Sequence, residues 1–153
     1  MARLEYRVLD EGEQFPLLYE YDRIGLGEIA LRFSCDYFVK EQQVYEKTSC
    51  SMEKRELYVI YVKKAEEEHA YEAVQVQRPD WRGVRVEIRK FTDEAIHYPV
   101  LDIRDFEDER EALLQLNSHY VYADGKEWEK SSTEIDEDRK RYAVYVREVG
   151  ANG

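Results

Sequence analysis

Glu134-Ile135-Asp136-Glu137-Asp138 sets four carboxylates within five positions, just after Ser131-Ser132-Thr133. Carboxylates this dense suit a hard cation such as Ca²⁺, which gathers about six to eight oxygens. The stretch lacks the glycine-containing loop of an EF-hand, and Arg139-Lys140-Arg141 follows at once. No metal site is therefore expected. The sequence predicts a solvated acidic loop in which Glu134, Asp136, Glu137 and Asp138 can meet a basic protein partner.

A second candidate surrounds Trp81, which Arg78 and Arg82 flank, with Arg85, Arg89 and Lys90 beyond. This is a basic island in an acidic chain. An exposed indole beside guanidinium groups is a good contact for an anion or a protein partner. The competing reading has Trp81 fold back onto a sheet and close its core.

Other chemistry-bearing residues make weaker patterns. His69, His97 and His119 follow no metal-ligand spacing. Cys35 and Cys50 lie near no histidine and on no glycine-rich elbow, so neither reads as a nucleophile. Gly25 and Gly27 alone do not make a phosphate loop, and Walker and dinucleotide patterns are missing. No catalytic residue and no cofactor are assigned.

The elements that must position these residues come in two similar sets. Arg3, Glu5 and Arg7 recur 82 positions later as Arg85, Glu87 and Arg89. At a spacing of 83, Pro16, Leu18, Asp22, Glu28 and Tyr37 fall on Pro99, Leu101, Asp105, Glu111 and Tyr120, and Glu46-Lys47 falls on Glu129-Lys130. At 84, Tyr58, Tyr61 and Val62 meet Tyr142, Tyr145 and Val146. Polar and punctuating residues match as well as strand formers do, which favours an internal duplication. A lone unit of this size buries only about 60% of its unfolded surface. The copies are thus expected to share a core or a sheet.

The second copy is the easier to read. Val84 to Phe91 alternates as a half-buried strand, and Pro99 to Arg104 is a short second one. Asp105 is placed as the N-cap of a helix through Leu116, with acids crowding its first turn. His119 to Ala123 and Glu127 to Ser132 flank Asp124-Gly125, a hairpin turn signal, and Arg141 to Glu148 closes the unit. In the first copy, residues 28–33 alternate like a strand, but their match to residues 111–116 predicts a helix. Residues 134–138 correspond to Ser51-Met52-Glu53-Lys54-Arg55.

The expected fold is α+β: a duplicated strand–strand–helix–three-strand unit with a mainly antiparallel sheet and a pseudo-twofold arrangement. Residues 1–64 form the first copy and 84–149 the second. Residues 65–83 form a connector with an extra strand at Tyr71 to Gln77, and 150–153 a disordered tail.

Composition narrows the partners. The 153 residues carry 23 basic and 34 acidic side chains, a net charge of −11, with the excess in the connector and second copy. Nucleic acid is disfavoured, because binding phosphates needs a basic surface. The sequence holds no apolar run long enough for a membrane span and no secretory leader. A cytoplasmic protein with reduced thiols is the expectation. The leading function is a non-enzymatic intracellular protein-binding or assembly module. Two alternatives are an enzyme or small-ligand protein with its site between the copies, and an acidic inhibitor or immunity-type protein that masks a basic partner.

Overall fold

The computed structural model describes residues 2–66, 81, 83–92 and 98–150. Alternation sets most of its strands. In β1 (Ala2–Val8), Ala2, Leu4 and Tyr6 point to one side and are buried, while Arg3, Glu5 and Arg7 line the other. β6 (Val84–Lys90) repeats the pattern with Val84, Val86 and Ile88. These apolar faces turn toward two short helices, α1 (Leu26–Phe33) and α2 (Glu109–Asn117), which touch each other. Ile29, Leu31, Ala112 and Leu116 enter one continuous core with strand residues from both halves of the chain.

The remaining strands are β2 (Leu17–Ile24), β3 (Tyr37–Lys40), β4 (Gln43–Lys54), β5 (Leu57–Lys64), β7 (Val100–Phe106), β8 (Tyr120–Ala123), β9 (Lys126–Asp136) and β10 (Arg141–Glu148). They make one sheet in the order β2-β1-β5-β4-β3-β9-β10-β6-β7, with β8 attached to β9. In the first half β1 pairs with β2 antiparallel and with β5 parallel, and β4 pairs antiparallel with both β3 and β5. In the second half β6 pairs with β7 antiparallel and with β10 parallel, and β9 pairs antiparallel with both β8 and β10. The sheet is thus mixed, where the sequence suggested a mainly antiparallel one. The first and last long strands of each half lie side by side and run the same way, an arrangement that alternation alone does not reveal.

Several boundaries differ from the sequence reading. Asp105 does not cap the helix: β7 runs on to Phe106, and Asp105 lies opposite Arg85 and pairs with it at 2.9 Å. Asp108 caps α2 instead, accepting from the Arg110 N–H at 2.7 Å. Residues 28–33 are helical, as the internal match required. The suggested strand at Tyr71 to Gln77 and the last three residues of the tail lie outside the described residues. Among the described residues, no helix is long and apolar enough to cross a membrane.

One junction joins the halves within the sheet. β3 runs parallel to the end of β9, with Tyr37 opposite Glu134, Phe38 opposite Ile135 and Val39 opposite Asp136. Side chains pin both ends. At the start, the Asp36 carboxylate accepts from the Thr133 N–H at 2.9 Å, and the Asp36 N–H returns to the Thr133 carbonyl at 3.0 Å. Beyond the other end, Asp138 accepts from the Glu41 and Gln42 N–H groups, each at 2.7 Å.

That last contact explains an unusual turn. Glu41 and Gln42 join β3 to β4 with φ of 53° and 64°. Two-residue hairpin turns need such values and normally recruit Asn or Gly for them. The β8–β9 turn does so with Asp124-Gly125. The β3–β4 turn has no such residues and relies on a carboxylate from the other half. Asp138→Ala should destabilise the protein by roughly 1–3 kcal/mol, the cost of losing charge-assisted bonds. A background carrying Glu41→Asn and Gln42→Gly should lose much less. Urea unfolding of the four combinations measures this coupling, and equal losses in both backgrounds would refute it.

Candidate functional site

The acidic stretch resolves into three different environments rather than one solvated loop. β9 extends through Asp136, so Glu134 and Asp136 are strand residues, and both are buried. They join a row of charge on the face of the sheet away from the helices. Arg89 donates to Glu87 at 2.8 Å, to the Tyr145 hydroxyl at 2.7 Å and to Glu134 at 3.2 Å. Tyr145 in turn donates to Glu134 at 3.0 Å. Arg141 also pairs with Glu87, and Arg139 pairs with Asp136 at 2.9 Å. Among the described residues, three carboxylates are matched there by three guanidinium groups. Buried charge survives when it is paired in this way. Glu134 and Asp136 are 7% and 0% exposed, which argues against either as a surface contact.

Glu137 and Asp138 are also committed within the chain. Glu137 accepts from the Tyr21 hydroxyl and lies 3.6 Å from both Lys40 and Arg32. Arg32 is buried on α1, donates to Tyr6 at 3.3 Å and lies over the Tyr21 ring at 4.7 Å. This polar knot links β1, β2, β3 and α1 of the first half to the β9–β10 turn of the second.

A cleft of about 270 Å³ opens where the two helices meet. Glu28 and Leu31 of α1 form one wall. Glu107 and Glu109 form another, and Trp81, Gly83, Val84 and Tyr142 complete the lining. Gly83 has a φ of +66°, and a side chain there would meet the Phe106 carbonyl at 2.9 Å, so glycine lets β6 start hard against β7. A methyl group at Gly27 would similarly meet the Glu109 carboxylate at 2.6 Å, which brings that acid against the first turn of α1.

The chemistry of the lining is one-sided. Arg32 lies 3.7 Å from Glu28 and partly balances it. Among the described residues, Glu107 and Glu109 have no ion-pair partner, and no basic residue lines the cleft. Trp81 packs on Tyr142 with ring centroids 5.7 Å apart. Tyr142 is only 2% exposed, yet no described residue hydrogen-bonds its hydroxyl, and Glu28 is among the charges acting on it. Carboxylates beside aromatic faces suit an ammonium or guanidinium group.

Of the candidate site residues that are described, only Trp81 lines this cleft. It packs onto the core, as the competing reading had it, and it also lines an opening. Arg78 and Arg82 lie outside the described residues, as do His69 and His97, and His119 is exposed just before β8. Glu28, Glu107, Glu109 and Tyr142 carried no signal as a set, because they come from three distant segments. Among the described residues, no group of histidine, cysteine and carboxylate side chains could hold a metal ion. Comparison with protein-family models, curated proteins and solved structures gave no match.

The buried row gives a pH signature. Burial pushes the Glu134 carboxyl up to about 7, against the pull of Arg89. Its folded-state pKa lies above the ordinary value of 4.5, so the native chain binds the proton more tightly than the unfolded one. The stability this group contributes is full below pH 4.5 and declines as pH rises to about 7. Glu134→Gln removes the titration while keeping an acceptor for Tyr145. Denaturant unfolding at about pH 5 and about pH 8 should show wild type losing stability relative to the variant as pH rises. Parallel behaviour would refute the assignment.

Proposed function

We propose that the chain is an internally duplicated, non-enzymatic, intracellular protein-binding module. Its cleft between α1 and the start of α2 receives a lysine or arginine side chain of a basic partner. The observation that carries this reading is the lining of the cleft. Glu107 and Glu109 are unpaired among the described residues, Glu28 is half-balanced, and the indole of Trp81 forms an aromatic wall. The overall charge of −11 draws a basic protein toward it.

The duplication is supported by strand register. Leu4 lies opposite Tyr58, and Val86 opposite Tyr142. Ser49 meets Tyr61 as Ser132 meets Tyr145, and Tyr37 meets Glu46 as Tyr120 meets Glu129. These are the same pairs under the sequence spacings of 82, 83 and 84. A cleft built from both copies would then be a product of their fusion, available to neither copy alone.

A second reading places a small organic cation in the same cleft. Its volume lies just below the range of about 300–1,000 Å³ usual for small-molecule sites, which favours a single side chain over a whole ligand. An inhibitor that masks a basic protein is a special case of the first reading.

The test is capture of basic proteins on immobilised chain at low and high salt. Wild type should retain partners at low salt and release them as salt rises. Trp81→Ala, and separately Glu107→Gln with Glu109→Gln, should weaken retention at least about tenfold. Retention that ignores both salt and these variants would overturn the proposal.

A further inference from the structure

β3 and β8 occupy equivalent places in the two halves but differ in what lies beside them. Each pairs antiparallel with the strand that follows it. The second edge of β3 is filled by Glu134, Ile135 and Asp136 of β9. Under the spacing of 83, the reciprocal junction would set Ser51, Met52 and Glu53 of β4 against Tyr120, Val121 and Tyr122 of β8. Among the described residues that pairing is missing: β4 pairs only with β3 and β5, and β8 only with β9.

Both unused edges show the consequence. Ile135, in its filled junction, is 1% exposed, while its counterpart Met52 is 70% exposed. Tyr120 and Tyr122 are 57% and 68% exposed. Among the described residues, no strand pairs with the outer backbone edge of β8. Lys130 N–H donates to the His119 carbonyl, which makes 119/130, 121/128 and 123/126 the bonded pairs of the β8–β9 ladder. The N–H and C=O groups of Tyr120 and Tyr122 therefore face away from β9. A side chain, Arg104, supplies the Tyr122 carbonyl with its partner. A strand edge of this kind is a template for another strand.

We propose that this edge is filled by a second copy of the chain. Its Ser51–Glu53 segment runs parallel to β8 in the register that Glu134–Asp136 takes on β3, and Met52 packs over Val121 as Ile135 does over Phe38. Each copy carries one donor segment and one acceptor strand, so two reciprocal junctions close a symmetric dimer. The occupant follows from the chain itself: the edge of β8, unpaired among the described residues, and the exposed methionine are the two halves of a junction that the molecule already makes once. The inference rests on the duplication proposed above, not on the cleft.

Sedimentation velocity of the full chain from about 10 µM upward tests it. Wild type should sediment as a dimer. Met52→Lys places a charge in the junction without touching the core of the monomer. Tyr122→Pro removes an N–H that faces the open edge and leaves the β9 ladder intact. Each should raise the dimer dissociation constant at least about tenfold, with circular dichroism showing that both variants are folded. A monomer at every concentration would overturn the proposal. A dimer insensitive to both variants would overturn this register and the equivalence behind it. Trp81→Ala should leave the dimer unchanged, so failure of the cleft and failure of the edge leave different marks.

Discussion

The three-residue parallel pairing of β3 with the end of β9 is the constraint on which the arrangement of the two halves depends. So short a parallel ladder supplies few hydrogen bonds. It is held by what flanks it: the Asp36–Thr133 exchange at one end and the Asp138 carboxylate on the β3–β4 turn at the other. Once that register is set, Glu137 must arrive at Tyr21, Lys40 and Arg32. The same register brings the helices into contact and leaves the seam that becomes the cleft. The equivalent junction is not made in the other half: among the described residues β8 pairs with β9 alone.

Burial of charge follows different rules in the two halves. Arg3, Glu5 and Arg7 make a row on β1 in which Glu5 accepts from both arginines, at 3.0 and 2.8 Å, and both arginines remain partly exposed. In the matching row on β6, Glu87 and Arg89 are enclosed. Glu87 there takes Arg89 and Arg141, and Arg89 reaches on to Glu134 and Tyr145. A buried network costs little only when each member is satisfied, and removing one partner strands the others. Its density of titratable groups could suggest a catalytic centre. Its closed pairing points to a structural role instead, and Glu107 and Glu109 of the cleft, unpaired among the described residues, are the better candidates for binding.

Parts of this fold were legible in the sequence because the proposed repeat carries its own check. Residues 28–33 alternate like a strand, yet their match to the second copy placed them in a helix, and α1 occupies them. Asp124-Gly125 announced the β8–β9 hairpin because those residues adopt positive φ readily. The β3–β4 turn was silent for the opposite reason, since its stabilising carboxylate lies at Asp138 in the other half. The run from Glu134 to Asp138 misled for a related reason. Arg89 on β6 neutralises Glu134, a pairing that no local pattern records, and Arg139 in the turn that follows neutralises Asp136. The cleft was invisible except for Trp81, because its carboxylates serve locally as helix-start residues and converge only through the seam.

The central claim is that joining two similar halves through this junction creates a cleft selective for an organic cation. Its most direct test is an NMR titration of the full chain with n-butylammonium, with neutral n-butanol as the control. The account predicts saturable shifts at the Trp81 indole N–H and at the backbone of Glu28, Glu107 and Tyr142, with butanol leaving them in place. Shifts that are equal for the two probes, or that fall elsewhere on the chain, would contradict it.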